Sequence, residues 1–376
     1  MHYTDAINVE DLRTIAQRKL PRFVFAYVDG GAEDERTLAG NREAFARLRF
    51  RPRTLVDVSK RALSAQMLGT SSALPVVVGP TGLNGLCWRD GDLALARAAS
   101  KADVPFAMST VSMSLVEDIA RQAPGRLWLQ AYVFAERHIT EAILARARDA
   151  DFECAILTSD FPVTGKRERD LRTGLLPSQR FTLATRLDLL MHPRWLATVA
   201  TRRPRFVNIE RELPRGRDVN AFVGHSMFDP SFCWDDVKRF RDRWPRKLLL
   251  KGVLRADDAE RALAAGVDGL VLSNHGGRQL DGAISAIDAL PEVARAVGGR
   301  ASILVDGGVR RGSDIAKAIA LGAEGVLLGR APVYGLAAGG EAGVARALAI
   351  LADELDRTLA LTGCTGIAGL TQDLVA

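Results

Sequence analysis

The sequence predicts a TIM (β/α)8 barrel, an α/β fold, with an N-terminal helical extension and a long insertion after strand four. Three observations predict it. Short apolar runs recur eight times along the chain, each ending in small or polar residues. Helical patterns that open on Asp or Ser and close near Gly lie between them. Polar side chains gather at the C-terminal ends of the runs, the face on which such barrels build their sites. A doubly wound sheet is the competing arrangement, but no G-x-G-x-x-G follows the first run.

The elements follow in order. Residues 1–74 form the helical extension and are expected to cap one end of the barrel. The barrel spans 75–340, with strands at 75–79, 105–109, 127–133, 154–159, 247–253, 269–273, 302–306 and 325–328. Helices are readable at 90–101, 114–122, 257–265, 286–297 and 313–321. Residues 161–246 form the insertion, and loops of that length are usually functional. A final helix at 341–361 opens a C-terminal segment, 341–376, and the whole chain reads as one domain, 1–376.

Composition narrows the class. The chain has 376 residues, 47% hydrophobic but only 6% aromatic, so Ala, Leu, Val and Gly fill a sizeable core. The net charge of +6 favours acidic substrates or an anionic surface without pointing to nucleic acid. Between residues 177 and 228 nine arginines face four acids, which concentrates that excess in the insertion. The four cysteines, Cys87, Cys154, Cys233 and Cys364, have neither metal-site nor disulfide spacing, so no metal is expected and a reducing cytoplasm is. The polar N-terminus carries no signal peptide, and no apolar run approaches the ~20 residues of a membrane helix.

Side chains alternate along a strand, so residues two apart share a face. Three strand ends present polar pairs at that spacing: Gln130 with Tyr132, Thr158 with Asp160, and Ser273 with His275. Ser109, Lys251 and Asp306 close three other strands, and Thr81 and Gly82 follow the first. The segment LVLSNHGGRQLDG, 270–282, concentrates the chemistry. His275 can move a proton, and Arg278, across a Gly-Gly turn, can hold a carboxylate with two hydrogen bonds. That pair suits a small acid bearing a hydroxyl group. Asp306-Gly307-Gly308-Val309-Arg310 after strand seven and Gly329-Arg330 after strand eight form a phosphate site, placed where barrels bind phosphate. A phosphorylated cofactor is favoured over a phosphorylated substrate, because the His–Arg pair already accounts for substrate.

With these motifs in place, the chain resembles the FMN-dependent α-hydroxy-acid oxidase and dehydrogenase family over nearly its whole length. SNHGGRQLD, GPTGLNG, DGGVRRGSDI and LGAEGVLLGR carry the resemblance. GDLALARAA, KRERDL and LMHPRW are most similar to the mandelate-oxidising members. The resemblance implies FMN and oxidation of an (S)-2-hydroxy acid, mandelate or a similar aryl or aliphatic acid, to the 2-oxo acid. It implies His275 as base, Asp160 as the partner that stabilises its imidazolium, and Arg278 and Arg167 as carboxylate grips. Tyr27 and Tyr132 would contact the carboxylate and the reacting oxygen. Lys251 would stand at the pyrimidine edge of the flavin, where a cation stabilises the reduced anion. Pro80, Thr81, Gly82, Ser109, Gln130, Thr158 and Ser273 would hold the ring and ribityl chain, and the strand-seven and strand-eight glycines and arginines the phosphate. Gly82 would leave room for a bulky substituent.

A quinone or O2 is the implied electron acceptor, and a homotetramer the implied assembly. Lactate dehydrogenase and O2-using oxidase are alternatives within the family. An FMN barrel isomerase and a non-catalytic flavin binder are alternatives outside it. In membrane-bound mandelate-oxidising members the insertion carries an apolar membrane segment; the matching stretch here, 197–224, is charged. That departure leaves two alternatives: a fully soluble cytoplasmic enzyme, or peripheral contact with the inner face of a membrane through the arginines and Phe206, Phe222 and Phe228 of 177–228. Lys166 also stands where those members have a larger aromatic residue.

Overall fold

A computed structural model describes residues 1–174, 182–199, 205–214, 216–217, 219, 222 and 228–376. Eight parallel strands close a barrel: β1 Val76–Val78, β2 Phe106–Ser109, β3 Leu127–Tyr132, β4 Cys154–Thr158, β5 Lys247–Val253, β6 Gly269–Leu272, β7 Ser302–Asp306 and β8 Gly325–Leu328. Each pairs with its neighbours in sequence, and β8 returns to β1 through Val326 against Val76 and Leu328 against Val78. The strands fall where the apolar runs place them.

The barrel interior explains the site. Val77, Ala107, Trp128, Ile156, Leu249, Val271, Leu304 and Leu327 fill it as one buried cluster. Two residues further along the same faces stand Gly79, Ser109, Gln130, Thr158, Lys251, Ser273, Asp306 and Gly329. The parity that packs the core therefore aims those positions at the barrel mouth. The alternate residues, such as Leu129, Leu157, Leu250 and Val305, pack outward against the helices.

The extension 1–74 does more than cap one end. Its helix Arg22–Asp29 places Phe23, Tyr27 and Val28 at the C-terminal mouth. At the opposite end a hairpin pairs Ala65–Met67 with Thr70–Ser72, and Met67 and Leu68 join the interior cluster as a floor. Arg126, just before β3, donates to the hairpin carbonyls of Met67 and Ser71, each at 3.1 Å. A helical reading alone misses this strand pair.

Two further boundaries differ from the sequence reading. The last part of the segment assigned to the insertion is helix Trp234–Arg243, which leads into β5 in the position of the fourth barrel helix. At the other end, helix Arg330–Thr362 breaks at Gly339 and Gly340, which separates the eighth barrel helix from the C-terminal one. That element is long and apolar enough to cross a membrane, against the expectation of no such run. However, 61% of its apolar window is buried within the protein, so it belongs to the core.

Candidate active site

The strand ends and helix Arg22–Asp29 enclose a cavity of about 720 Å³ at the mouth, a size suited to a cofactor and a small substrate together. Its base is a hydrogen-bonded row across three strands. Ser109 Oγ donates to Gln130 Oε1 at 2.7 Å, and Gln130 Nε2 donates to Thr158 Oγ1 at 2.7 Å. Beside that row Lys251, 4% exposed, donates to Ser273 Oγ at 2.6 Å and lies 3.2 Å from Asp306 Oδ2 and 3.9 Å from Asp160 Oδ2. Burial works against its charge, but the two carboxylates outweigh it and hold the ammonium above its ordinary range.

His275 sits at the centre. Its backbone takes a left-handed conformation, φ 58°, which is costly for a side chain of this size. The Ser273 hydroxyl holds that turn by accepting from His275 N at 2.9 Å. The ring meets Asp160 Oδ1 through Nδ1 at 3.0 Å and the Tyr132 hydroxyl through Nε2 at 3.2 Å. Asp160 thereby sets the tautomer, with hydrogen on Nδ1 and a basic Nε2 toward the cavity. Burial lowers the imidazole pKa below 6.5, and Lys251 and Arg167 lower it further, while Asp160 raises it; the net shift is downward. Asp160 is raised by burial but lowered more by Lys251 and His275, so it stays ionised. A neutral base held by an ionised partner follows. Accordingly, kcat/KM should be level at neutral pH and fall only below about pH 6.5, as His275 gains its proton. A profile whose acid limb lies well above that value would contradict the assignment.

Two guanidiniums flank the imidazole. Arg278 Nη1 donates to the carbonyls of Tyr27 and Gly30, at 2.6 and 2.8 Å, at the negative end of helix Arg22–Asp29. That grip orients the guanidinium and leaves its Nε and Nη2 edge for a ligand. Its Cζ lies 4.8 Å from the centre of the Tyr27 ring. Arg167 donates from Nε to Arg278 O at 3.4 Å and stacks 5.8 Å from Phe161. Burial and the neighbouring Arg278 press its pKa down to about 10, so it remains charged. Tyr27 donates from its hydroxyl to Gly82 O at 3.3 Å. A Cβ on Gly82 would stand 2.9 Å from Val111 Cγ2 and 3.3 Å from that hydroxyl, so any larger residue would crowd this corner.

At the strand-seven and strand-eight ends, Asp306 Oδ1 and Arg310 Nε are buried without a hydrogen-bond partner among the described residues. Buried polar atoms are seldom left unmet, and these fit the hydroxyls and phosphate of FMN. Gly308, at φ 86°, lies so close to Asn41 that a Cβ would fall 2.2 Å from its carbonyl oxygen; the loop must expose bare backbone here. Pro80, Thr81, Gly307, Val309 and Gly329 line the same cavity. Arg330 lines it too, but its Nε, Nη1 and Nη2 donate to the carbonyls of Val28, Gly276 and Gly30. Arg330 is thus a clamp on the mouth before it is a phosphate ligand.

The structure brings every sequence-selected residue to this one cavity except Asp160 and Ser273, which stand just behind its wall against His275 and Lys251. It adds an aromatic wall that the sequence reading misses. Phe161 lies 4.3 Å from Phe228 and 5.1 Å from the His275 ring, centre to centre, and Tyr132 lies 5.0 Å from Phe161. The position of Phe161 beside a strand end was the available signal. Phe206 also lines the cavity, and Phe222 is buried 6.1 Å from Phe134. The three phenylalanines assigned to a lipid surface therefore face inward, because packing against the barrel hides more apolar surface than an exposed arrangement. Of the arginines assigned with them, Arg180, Arg202, Arg203 and Arg215 lie outside the described residues, while Arg205, Arg211 and Arg217 pair with Glu210, Glu117 and Glu136.

Comparison with known proteins gives a concordant picture. The family model described as FMN-dependent dehydrogenase matches residues 16–376. The chain is 47% identical to (S)-mandelate dehydrogenase of Pseudomonas putida over 367 residues, covering 97% of this chain and 93% of that protein. It is 42% identical to L-lactate dehydrogenase of Caulobacter vibrioides, covering 97% and 96%. A crystal structure of monotopic membrane protein (S)-mandelate dehydrogenase superposes with a TM-score of 0.94 at 46% identity, covering 99% of both chains.

Proposed function

Because the chain belongs to the FMN-dependent dehydrogenase family, we propose that it oxidises an (S)-2-hydroxy acid to the 2-oxo acid. Mandelate or a similar aryl or aliphatic acid is the substrate, and a quinone or another carrier takes the electrons. The observation that carries this reading is the convergence around His275: Asp160 on one ring nitrogen, Tyr132 on the other, and two guanidiniums beside them.

The residues divide the work. Arg278 and Arg167 bind the substrate carboxylate and fix the face that the acid presents. Nε2 of His275 accepts the substrate proton, and the Asp160 carboxylate stabilises the imidazolium that results. The Tyr132 hydroxyl, kept protonated because burial raises its pKa, donates to the reacting oxygen. Ser109, Gln130, Thr158 and Lys251 hold the isoalloxazine, and the Asp306–Arg310 and Gly329–Arg330 turns hold the ribityl phosphate. Bound FMN supplies the two-electron acceptor for the α-carbon. Phe161, Phe228 and Gly82 shape an apolar space in which an aryl substituent fits.

Turnover of (S)- and (R)-mandelate and of L-lactate with a dye acceptor tests the reading. Oxidation of the S acids alone, with a 2-oxo acid as product, is expected; no turnover of any 2-hydroxy acid would overturn it. Arg278→Lys keeps the charge but loses the planar fork. Its KM should rise by about tenfold or more, equivalent to at least ~1.4 kcal/mol. An unchanged KM would remove Arg278 from substrate binding.

A homotetramer and peripheral contact with the cytoplasmic membrane face belong to the same proposal. The contact is supported by helix Leu183–Leu190, which leaves Leu183, Leu187, Leu190 and the following Met191 exposed. Sedimentation with phosphatidylglycerol vesicles should carry the protein down, and Leu187→Glu with Leu190→Glu should release it without loss of turnover. Equal sedimentation of both proteins would place the contact elsewhere.

A further inference from the structure

The base and the carboxylate grip each draw one residue from two different loops. Asp160 and Arg167 follow β4, His275 and Arg278 follow β6, and β5 lies between those strands. Asp160 meets the His275 ring at 3.0 Å, and Arg167 donates to Arg278 O at 3.4 Å. The spacing within both pairs therefore depends on how the first loop is held against the second. No helix or strand includes residues 159–167. One side chain spans the gap. Gln279, directly after Arg278, donates from Nε2 to Asp160 O at 3.1 Å and to Val163 O at 2.8 Å, and its Oε1 accepts from Gly165 N at 3.1 Å. Both amide hydrogens and the amide oxygen are thus spent on the backbone of the loop that begins with Asp160 and ends with Arg167. At Gly165 the two loops touch so closely that a Cβ would fall 2.5 Å from Arg278 O.

We propose that Gln279 is a positioning residue: it fixes loop 160–167 so that Asp160 meets His275 and Arg167 stands beside Arg278 for the substrate carboxylate. The proposal rests on the hydroxy-acid reading of the site. Gln279 does not line the cavity and acts through the groups that do. The two arginines differ in how far they need it. Arg278 has anchors of its own on the carbonyls of Tyr27 and Gly30. Arg167 rests on Arg278 O and the Phe161 ring, and so on the two loops that Gln279 joins. Beyond Arg167 the chain is fastened separately to the N-terminal extension: Lys166 O accepts from Glu33 N at 2.8 Å, and Arg169 pairs with Asp29 at 3.0 Å. Gln279 therefore governs the stretch between Asp160 and that fastening, which also carries Phe161 and Thr164 into the cavity. Removing its three bonds should weaken carboxylate binding and slow flavin reduction by about tenfold each, the scale of a few net hydrogen bonds lost from an irregular loop.

The test uses oxidised holoenzyme. Phenylacetate, a monocarboxylate with no hydroxyl to oxidise, is titrated against the flavin absorbance, and anaerobic stopped flow gives the rate of reduction at saturating (S)-mandelate or L-lactate, whichever wild type oxidises. Gln279→Ala should keep FMN, because Ser109, Gln130, Thr158, Lys251 and Ser273 bond among themselves. It should bind phenylacetate about tenfold more weakly and reduce about tenfold more slowly. Gln279→Met keeps the volume and loses all three bonds, so it should match Gln279→Ala. Arg167→Ala should weaken phenylacetate binding about tenfold in wild type but by less than about threefold in Gln279→Ala, since residues that act as a unit share their effects. Wild-type affinity and rate in Gln279→Met would show that the side chain only fills space and would overturn the proposal. An equal cost of Arg167→Ala in both backgrounds would also overturn it, as would loss of FMN from both Gln279 variants. If wild type neither binds phenylacetate nor is reduced by any 2-hydroxy acid, the hydroxy-acid reading itself falls.

Discussion

His275→Ala should reduce its flavin with mandelate or lactate roughly 10²–10⁴-fold more slowly than wild type, the range lost when a positioned base is removed. FMN should stay bound, because the row Ser109–Gln130–Thr158 and the buried Lys251 do not depend on the imidazole. The left-handed backbone at this position, φ 58°, argues for a second variant. Asn tolerates that conformation better than Ala, so His275→Asn should lose the same rate with less disturbance of the turn. Stopped-flow reduction under anaerobic conditions measures both. Near wild-type reduction in either variant would mean that another group takes the proton.

Lys251→Met should cost both stability and rate. The ammonium lies between Asp306 and Asp160, at 3.2 and 3.9 Å. Methionine fills much of the same volume but leaves two buried carboxylates facing each other without a cation. Breaking a buried pair in this way costs about 3–5 kcal/mol. Protonation of one acid would relieve part of that cost, and Asp160 is a candidate, since Lys251 is the largest influence lowering its pKa. A neutral Asp160 no longer stabilises a His275 imidazolium, so the rate of flavin reduction should fall by about 10²-fold or more. Thermal unfolding and stopped-flow reduction read the two effects separately. Normal values of both would show that the cation is dispensable.

Period-two alternation explains why so much of the site is legible without coordinates. Once Val271 faces the barrel interior, Ser273 leaves the strand on the same side, and the same holds for Leu249 with Lys251 and Ile156 with Thr158; His275, at φ 58°, and Asp160 lie beyond the strand ends, where alternation no longer dictates direction. Legibility ends where tertiary packing decides. Asp160 and His275 are 115 residues apart, and no local pattern pairs them; the family motifs do. Nothing in the sequence near Phe206, Phe222 and Phe228 says whether the rings face lipid or the barrel, and they face the barrel. Arg330 reads as a phosphate ligand from its Gly-Arg turn, but the carbonyls it clamps come from residues 54 to 302 positions away. The floor hairpin escapes notice because each strand has only three residues, too few for alternation to register. Arg167 sits in a charged run, KRERD, that reads as a solvated face until the fold turns Arg167 and Asp170 toward the cavity and Arg169 toward Asp29 of the N-terminal helix.

If a proton-accepting imidazole and two carboxylate-binding guanidiniums serve a cavity that holds flavin, the substrate acid must reduce that flavin. Purified protein mixed with (S)-mandelate, and separately with L-lactate, under anaerobic conditions tests it in one absorbance trace. The protein should be yellow, and its visible flavin band should bleach on addition of the acid that it oxidises. A colourless protein, or a yellow one that no 2-hydroxy acid bleaches, would contradict it.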